Sequence, residues 1–367
     1  MTADTIGGVW TYSIELARAL ADHGVEVVLA TMGRPLDALQ WAEARAVPGL
    51  RVYESSYKLE WMEHPWADVA AAGTWLLRLE DDLCPDVVQI NGYAHAALPW
   101  RAPTVVVGHS CVLSWWEAVR GSPPPAEWGR YRTEVARGLR AASLVLAPTA
   151  AMLCALDRHY GPISNGMVVS NGRDATRFRP AVKEPFVLAA GRLWDEAKNL
   201  ALLDTAAPGV PWPVYVAGEE QHPEGGLVHS RNVRPLGHLP GPILAQWLGR
   251  AAIYALPARY EPFGLSVLEA GLAGCALVLG DIPSLREIWG DAALYVSPNH
   301  PDKLRDVLNL LIEDQLLCDD FAARARTRAL QLTSHRMAAA YLAAYTRLSN
   351  GRELHTSGSR AGAASYG

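Results

Sequence analysis

The sequence lacks several features that would place the protein in particular classes. Its five cysteines, Cys84, Cys111, Cys154, Cys275 and Cys318, contain no Cys-x-x-Cys pair, so a zinc site is disfavoured and reduced thiols are expected. No apolar run is long enough to cross a bilayer, and no signal-peptide pattern opens the chain. These features together predict a cytoplasmic location.

Excess positive charge is also missing. The formal net charge is −5, so a nucleic-acid partner is not expected and membrane contact should be peripheral at most. The chain has 367 residues, of which 50% are hydrophobic and 19% charged, which favours a globular α/β protein of two domains. No Gly-x-Gly-x-x-Gly follows an apolar strand, which disfavours a nicotinamide dehydrogenase.

The most informative stretch is residues 259–274. Short apolar runs at 252–257 and 275–279 flank it, and both predict buried strands. Between them the pattern predicts a loop and a short helix, with Ser266 as its N-cap and Gly274 at its end. The order strand, loop, helix, strand implies a parallel sheet.

This loop follows a strand, and open α/β sheets bind ligands at the carboxyl ends of their strands. The amino terminus of the predicted helix offers unpaired N–H groups and a positive dipole end, which suit a phosphate. Glu261 and Glu269 flank that position. A carboxylate repels phosphate but accepts hydrogen bonds from adjacent hydroxyls, so sugar and ribose hydroxyls are its natural partners. The stretch therefore predicts a sugar-nucleotide site.

The segment Glu261-Pro-Phe-Gly-Leu-Ser-Val-Leu-Glu269 resembles the Glu-x7-Glu signature of retaining glycosyltransferases with the GT-B fold, the glycogen-synthase-like and mannosyltransferase-like enzymes of family 4. The resemblance implies an α/β protein whose two Rossmann-like domains face a central cleft. It implies transfer of a sugar from a nucleotide-diphosphate donor, with retention at the anomeric carbon. No Asp-x-Asp metal motif is present, which agrees with the metal-independent manner of this fold and with the absence of a cofactor.

A pair of cations supports the same function. Arg192 ends a predicted strand at 186–190, and Lys198 follows six residues later. As a glycosidic bond to a diphosphate breaks, negative charge builds on the leaving group, and two fixed cations stabilise that charge in the transition state. The pair resembles the phosphate clamp of the family.

The resemblance assigns further roles around the Glu-x7-Glu segment. Glu261 would bind hydroxyls of the donor sugar, and Glu269 would bind the ribose. The backbone N–H groups of Gly264, Leu265 and Ser266 would face sugar and phosphate. The family has no undisputed covalent nucleophile, so Glu261 is not assigned that role, and front-face attack assisted by the leaving phosphate is expected.

The first half of the chain carries weaker signals. Gly7-Gly8 resembles the family's first loop, where small residues let the backbone approach the donor phosphate and the acceptor. His109 follows an apolar strand at 104–108 and resembles the histidine that faces the donor sugar. Tryptophans at 115, 116 and 128 surround a proline run, which predicts either an acceptor-side loop or a packed cover over the core.

The expected domains are residues 1–180 on the acceptor side and 181–333 on the nucleotide-sugar side. Residues 334–349 should form a final helix that returns to the first domain, and 350–367 a disordered tail. Only Met1–Asp4 precede the glycine loop, although a doubly wound sheet needs a strand there. We therefore expect the first strand to be truncated and the natural start to lie upstream.

Alternatives remain open at this stage. A GT-B phosphorylase or epimerase would use the same scaffold, and a nucleotide-sugar-binding protein with little turnover would keep the same contacts. The acceptor could be a sugar, a lipid or another small molecule. Product analysis without an acceptor would separate these classes.

Overall fold

The computed structural model of the chain describes residues 1–221, 225 and 230–357, with side chains up to residue 349. Parallel strands alternate with helices throughout, which matches the α/β prediction. The first half contains seven strands, β1 (Thr2–Asp4), β2 (Val28–Met32), β3 (Arg51–Tyr53), β4 (Val88–Ile90), β5 (Thr104–Val107), β6 (Leu144–Ala147) and β7 (Gly166–Val168). Its helices are α1 (Gly8–Ala21), α2 (Ala38–Arg45), α3 (Trp66–Leu83), α4 (Val112–Arg120), α5 (Gly129–Ala141) and α6 (Ala150–Tyr160).

The second half repeats this alternation. Its strands are β8 (Glu184–Ala190), β9 (Val214–Ala217), β10 (Arg234–Pro235), β11 (Ala251–Leu256), β12 (Ala276–Gly280) and β13 (Leu294–Val296). Its helices are α7 (Leu200–Ala206), α8 (Gly241–Arg250), α9 (Leu265–Leu272), α10 (Pro283–Trp289), α11 (Pro301–Glu313), α12 (Gln315–Ala329) and α13 (Ser334–Ser357).

The six strands of the second sheet are parallel in the order β10-β9-β8-β11-β12-β13. This is the doubly wound order: successive strands are added on one side of the first strand, and then, from the fourth strand on, on its other side. That change of side falls between β8 and β11. The loops after these two strands carry Arg192 and Glu261, so the fold brings the predicted cations and carboxylates to one crevice.

The first half follows the same plan in two hydrogen-bonded sheets, β1-β2-β3 and β4-β5-β6-β7. They meet where β1 lies beside β4. The Asn91 backbone N–H donates to Thr2 Oγ1 at 2.9 Å, and Asn91 Nδ2 donates to the Thr2 carbonyl at 2.7 Å. Thr2–Asp4 thus form a three-residue strand at the position where a first strand is needed, parallel to β2. Whether this strand is truncated stays a prediction.

The end of the chain differs from the expectation. Helix α13 starts at Ser334 and continues to Ser357, so residues 350–357 are helical rather than part of a disordered tail. The Gly, Ser and Ala content of 350–367 predicted that the final helix ends at 349, but Gly351 lies inside the helix and does not end it. Residues 358–367 lie outside the described part of the chain. Met337, Ala338 and Tyr341 of α13 pack into the core around α1.

The cysteines and the helix hydropathy complete the description of the fold. All five cysteines lie in the described part of the chain, and all are free thiols. Within residues 1–221, 225 and 230–357, none of the helices combines the length and the hydropathy that crossing a bilayer requires.

Candidate functional site

A cleft of about 1310 Å³ opens along the carboxyl ends of both sets of strands. It is the location that a doubly wound sheet favours for a ligand. The structure brings every residue predicted for the site to this cleft: Gly7, Gly8, His109, Arg192, Lys198, Glu261, Gly264, Leu265, Ser266 and Glu269.

The two predicted clamp cations each hold a carboxylate. Arg192 Nη2 lies 3.0 Å from Asp195 Oδ2, and Lys198 Nζ lies 2.6 Å from Glu261 Oε2. Both cations remain at the cleft surface, and the Arg192 side chain is 34% exposed. The structure thus places two positive charges at one end of the cleft. A bound anion would compete with the two carboxylates for these cations.

Asp195, which the sequence analysis missed, organises this end of the cleft. Its Oδ1 accepts hydrogen bonds from Trp115 Nε1 at 2.9 Å and from the Ala197 N–H at 3.0 Å. Burial raises the pKa of Asp195, but the charges of Arg192 and Lys198 outweigh that effect and lower its pKa overall. The carboxyl is therefore ionised and fixes the segment that carries both cations.

Glu261 anchors its own loop. Its Oε1 accepts the Gly264 N–H at 2.9 Å, while Oε2 binds Lys198. The prediction gave the Gly264 N–H to the donor, but in this structure it is bonded to Glu261. A hydrogen bond from a backbone N–H to a carboxylate three residues earlier is local. The spacing of Glu261 and Gly264 allows this bond, but the sequence alone does not predict it.

Helix α9 begins at this loop, with Gly264 as its N-cap at φ +90°. The prediction that Ser266 caps the helix is wrong. Ser266 lies inside the first turn, and its hydroxyl accepts from the Tyr254 hydroxyl at 2.8 Å. The left-handed conformation at Gly264 turns the chain sharply into the helix, which only glycine adopts without strain. The first turn of α9 therefore faces the cleft.

Glu269 lies in a buried ion pair that the sequence analysis did not anticipate. Its Oε1 lies 2.9 Å from Arg173 Nη2, and Arg173 Nη1 lies 2.7 Å from Glu15 Oε2. Burial raises the pKa of Glu269, although Arg173 and Arg177 oppose the shift. One sequence feature could have indicated this ion pair: Arg173 is a charged residue that directly follows Asn171-Gly172.

His109 lies after β5, as predicted. Its Nε2 is 3.1 Å from Asn91 Oδ1, and its ring packs edge-on against Tyr12 at 4.4 Å between centroids. Asn91 Nδ2 donates to the Thr2 carbonyl, so Oδ1 is the acceptor and His109 Nε2 carries the proton. Burial lowers the pKa of His109 to about 3. The imidazole is therefore neutral, with Nδ1 as a hydrogen-bond acceptor.

The glycine loop approaches the clamp directly. Gly7 has φ +88°, and a Cβ at this position would meet Arg192 Cδ and Nη1 at 3.3 Å. A Cβ on Gly8 would lie 3.7 Å from Leu265 Cδ1. Gly7-Gly8 and the start of α9 thus come together across the cleft. The approach of this loop to a donor phosphate stays a prediction.

Asp4 is a further cleft residue that the sequence analysis did not single out. It ends β1, and its Oδ1 accepts the Ile6 N–H at 2.6 Å. Burial raises the pKa of Asp4 to about 7, although the Ile6 N–H and the charge of Arg192 oppose the shift. A carboxyl that titrates near neutral pH inside a cleft is typical of a functional site.

No three or more His, Cys, Asp or Glu side chains cluster as a metal site in the part of the chain that the structure describes. Among the groups that line the cleft are the clamp cations Arg192 and Lys198, several carboxyls, the neutral His109 and the start of α9. This set suits a ligand with both phosphates and hydroxyls.

Two family models match the chain. Residues 6–177 match "Glycosyltransferase Family 4", and residues 173–328 match "Glycosyl transferases group 1". The boundary between the matches falls at the end of the first half. Glu261, Glu269, Arg192 and Lys198 lie in the second match.

Curated relatives agree with these matches. Glycogen synthase of Mycobacterium tuberculosis is 32% identical over 219 residues, which cover 53% of this chain and 51% of that protein. The chain thus spans about half the length of the first relatives it matches. D-inositol 3-phosphate glycosyltransferase of Xylanimonas cellulosilytica is 27% identical over 392 residues, which cover 94% of this chain and 93% of that protein.

Solved structures share the fold. Sucrose-phosphate synthase of Thermosynechococcus elongatus has a TM-score of 0.80 at 17% identity, over 93% of this chain and 94% of that one. HepE of Anabaena, solved with UDP and glucose, has a TM-score of 0.74 at 17% identity, over 93% of this chain and 96% of that one.

Proposed function

We propose that this chain, which belongs to the GT-B glycosyltransferases described by the family 4 and group 1 models, transfers a sugar from a nucleotide-diphosphate sugar to an acceptor hydroxyl. The transfer would retain the configuration of the anomeric carbon and need no metal ion. The observation that carries the proposal is the pair of cations Arg192 and Lys198, which bind Asp195 and Glu261 respectively at the crevice between β8 and β11.

The clamp fits a diphosphate leaving group. Each cation is paired with a carboxylate, Arg192 with Asp195 and Lys198 with Glu261. A diphosphate that enters the cleft would take over both cations, and its charge grows as the bond to the sugar breaks. Stabilisation is therefore larger in the transition state than in the ground state, which is the condition for a faster chemical step.

The remaining cleft residues fit the sugar. Release from Lys198 frees Glu261 Oε2 to accept hydrogen bonds from donor hydroxyls, while Oε1 keeps the loop in place. Glu269, aligned by Arg173, would bind the ribose. Neutral His109 would accept a hydroxyl hydrogen bond at Nδ1, because Nε2 is already used by Asn91.

Retention follows if the acceptor approaches the same face of the sugar that the diphosphate leaves. The new bond joins the acceptor oxygen to the anomeric carbon, and the bond from that carbon to the diphosphate oxygen breaks with its electron pair. The acceptor proton passes to the departing phosphate oxygen. No protein nucleophile is required, which agrees with a Glu261 whose Oε1 is engaged by the Gly264 N–H.

The donor class is supported by the neighbours that were solved with UDP and with UDP-glucose. The first test is thermal stability in the presence of UDP, GDP, ADP or dTDP, with and without the attached sugar. A ligand that binds only the native protein raises its melting temperature. We expect one nucleotide to raise it, and that nucleotide identifies the donor base. No shift from any of them would contradict the proposal.

The substitution Lys198→Ala should lower kcat on the order of 100-fold, because it removes one charge that stabilises the leaving diphosphate. Steady-state kinetics with the identified donor measure this effect. The control is Lys303→Ala, because Lys303 is exposed on α11 and pairs with Asp306 of the same helix. Unchanged turnover in Lys198→Ala would remove the clamp assignment.

Product analysis separates the remaining reaction classes. Transfer with retention, detected as the anomeric configuration of the product by NMR, is the expected result. An inverted product would contradict the front-face route. Conversion of the donor without an acceptor, to an epimeric nucleotide sugar or with free phosphate to a sugar phosphate, would instead identify an epimerase or a phosphorylase.

A further inference from the structure

A buried guanidinium joins the two halves of the chain beside the cleft. Arg173 Nη1 lies 2.7 Å from Glu15 Oε2 of α1, and Arg173 Nη2 lies 2.9 Å from Glu269 Oε1 of α9. None of these three side chains is more than 9% exposed. Arg173 and Glu269 line the cleft, whereas Glu15 does not. Glu15 can therefore influence a ligand in the cleft only through the residues that it contacts.

The Arg173 guanidinium is held from three directions. The two carboxylates bind its two terminal nitrogens, and the Phe178 ring lies against its face, with Cζ 5.1 Å from the ring centroid. Arg173 Nε is buried and has no hydrogen-bond partner among the described residues. An unpaired buried donor costs free energy, and a buried group of charges is weak evidence for stability. Stability alone is therefore a poor reason for this arrangement, which favours a role in orienting Glu269.

Glu15 is anchored by more than this one contact. It lies within α1 and is 1% exposed. Its Oε1 accepts the Asp174 N–H at 2.7 Å, and its Oε2 lies 3.6 Å from Arg177 Nη1 as well as close to Arg173. A glutamine at this position could accept only one of the two short hydrogen bonds, because its NH₂ group is a donor. A carboxylate is therefore needed to hold both Arg173 and the backbone that follows it.

The backbone of Arg173 lies where the two halves connect. It forms a parallel bridge with Thr333, the residue directly before α13. The Arg173 N–H donates to the Leu332 carbonyl at 3.1 Å, and the Arg173 carbonyl accepts the Ser334 N–H at 3.4 Å. A Cβ on Gly172 would lie 2.1 Å from the Thr333 carbonyl oxygen, so only glycine permits this approach. The segment that leaves the first half and the segment that returns to it thus meet at Arg173.

Under the proposed function, Glu269 receives the ribose of the donor. A carboxylate accepts hydrogen bonds from the adjacent 2′- and 3′-hydroxyls only when its plane has the right orientation. Arg173 binds Oε1 and fixes that plane, and the carboxylate has further lone pairs for hydroxyls. Hydrogen bonds to charged groups contribute more than those between neutral groups. A nucleotide that lacks one ribose hydroxyl should therefore bind such a site less tightly.

We propose that Glu15 and Arg173 are positioning residues that orient the Glu269 carboxylate, so that ribose recognition by α9 of the second half depends on α1 of the first. The inference deepens the proposed function and depends on it. The diphosphate contacts proposed for Arg192 and Lys198 lie on the loop after β8 and do not include this ion pair. Loss of the positioning residues should therefore affect the ribose selectively.

The test compares a ribonucleoside diphosphate with its 2′-deoxy analogue. The base is the one that the nucleotide panel identifies, and titration calorimetry measures both dissociation constants. The unsubstituted protein should bind the ribonucleotide about 10-fold more tightly or better, the usual effect of a hydrogen bond to a charged group. Glu269→Gln gives the reference ratio for a site without the carboxylate. Equal affinities in the unsubstituted protein, or a panel response to dTDP alone, would overturn the inference.

Glu15→Gln and Arg173→Lys should each lower this ratio about 5-fold, with little change in affinity for the deoxy analogue. Glutamine removes the charge of Glu15, and lysine removes the fork of two nitrogens that reaches both carboxylates. A role in stability alone would weaken both nucleotides by the same factor. The matched control is Glu287→Ala. Glu287 also bridges the halves, through the N–H groups of Ala150 and Ala151, but it does not line the cleft, so its ratio should not change.

The melting temperature without nucleotide shows which variants fold. Phe178→Leu keeps both carboxylates and an apolar side chain beside the guanidinium, so it tests the same orientation if the two charge variants do not fold. Loss of the aromatic face should lower the ratio about 2-fold. A ratio that stays the same in every folded variant would overturn the inference while the proposed function stands. If no nucleotide shifts the melting temperature of the unsubstituted protein, the proposed function fails instead.

Discussion

At the scale of single residues, Asp4 is a cleft carboxyl whose charged form is disfavoured by burial. It ends β1, directly before the glycine loop, and it hydrogen-bonds the Ile6 N–H at 2.6 Å. Burial disfavours its charged form more than the nearby Arg192 charge favours it, so the pKa rises from 3.8 to about 7. The carboxyl thus takes up a proton on folding at mildly acidic pH.

Replacing Asp4 with asparagine should change how stability depends on pH. Because the folded pKa lies above the unfolded value, the contribution of Asp4 is fully present below about pH 4 and is lost as the pH rises through 7. The melting temperature of Asp4→Asn relative to the unsubstituted protein should therefore increase between pH 5 and pH 8. Thermal melts at both values, with the exposed Asp319→Asn as control, measure it. A constant difference would contradict this assignment.

At the scale of elements, helix α6 depends on the other half of the chain. Its own cap is Thr149, whose Oγ1 accepts the Met152 N–H at 3.1 Å. Glu287 of α10 accepts two more N–H groups, from Ala150 at 2.7 Å and Ala151 at 2.9 Å. A carboxylate at a helix start satisfies unpaired donors and complements the helix dipole.

The substitution Glu287→Ala should lower the free energy of unfolding by about 1 kcal/mol, the usual contribution of a cap. Chemical denaturation measures the loss. Glu313→Ala serves as the control, because Glu313 is an exposed glutamate at the carboxyl end of α11, where a negative charge opposes the dipole. Equal stability of Glu287→Ala and the unsubstituted protein would show that the contact across the halves contributes nothing.

At the scale of the whole molecule, the two halves are joined by more than the connection near residue 181. Helix α13 follows the second half in the sequence but packs with α1 of the first. Tyr341 is 1% exposed there, and its ring lies 6.0 Å from that of Tyr12. Tyr12 in turn contacts His109. The last helix therefore packs, through Tyr12, against a residue that lines the cleft.

Removing the Tyr341 ring should therefore destabilise the protein through a cavity in this core. Tyr341→Ala is expected to cost about 3 kcal/mol in unfolding free energy, as for other buried aromatic side chains. Leu316→Ala on α12 is the comparison, because that side chain is 83% exposed. A loss in Tyr341→Ala no larger than in Leu316→Ala would mean that α13 is only loosely docked.

Much of this organisation was predictable because its signals are local. Apolar runs of four to six residues predicted β5, β8, β11 and β12. Because the strands of each sheet are parallel, the loops that follow them lie at the carboxyl edge of that sheet. Gly274, at φ +74°, ends α9 as predicted. The cap of α9 was mispredicted because Gly264 and Ser266 both suit a helix start, and only the backbone conformation chooses between them.

The sequence by itself determined the α/β class, the strands that lead into the site and the residues that its loops bring to the cleft. The tertiary structure alone decided how those residues are paired. Lys198 meets Glu261 across 63 positions, and Arg173 joins Glu15 to Glu269. The reason is physical: secondary structure depends on neighbours along the chain, whereas ion pairs depend on distances that exist only once the sheets and helices have packed.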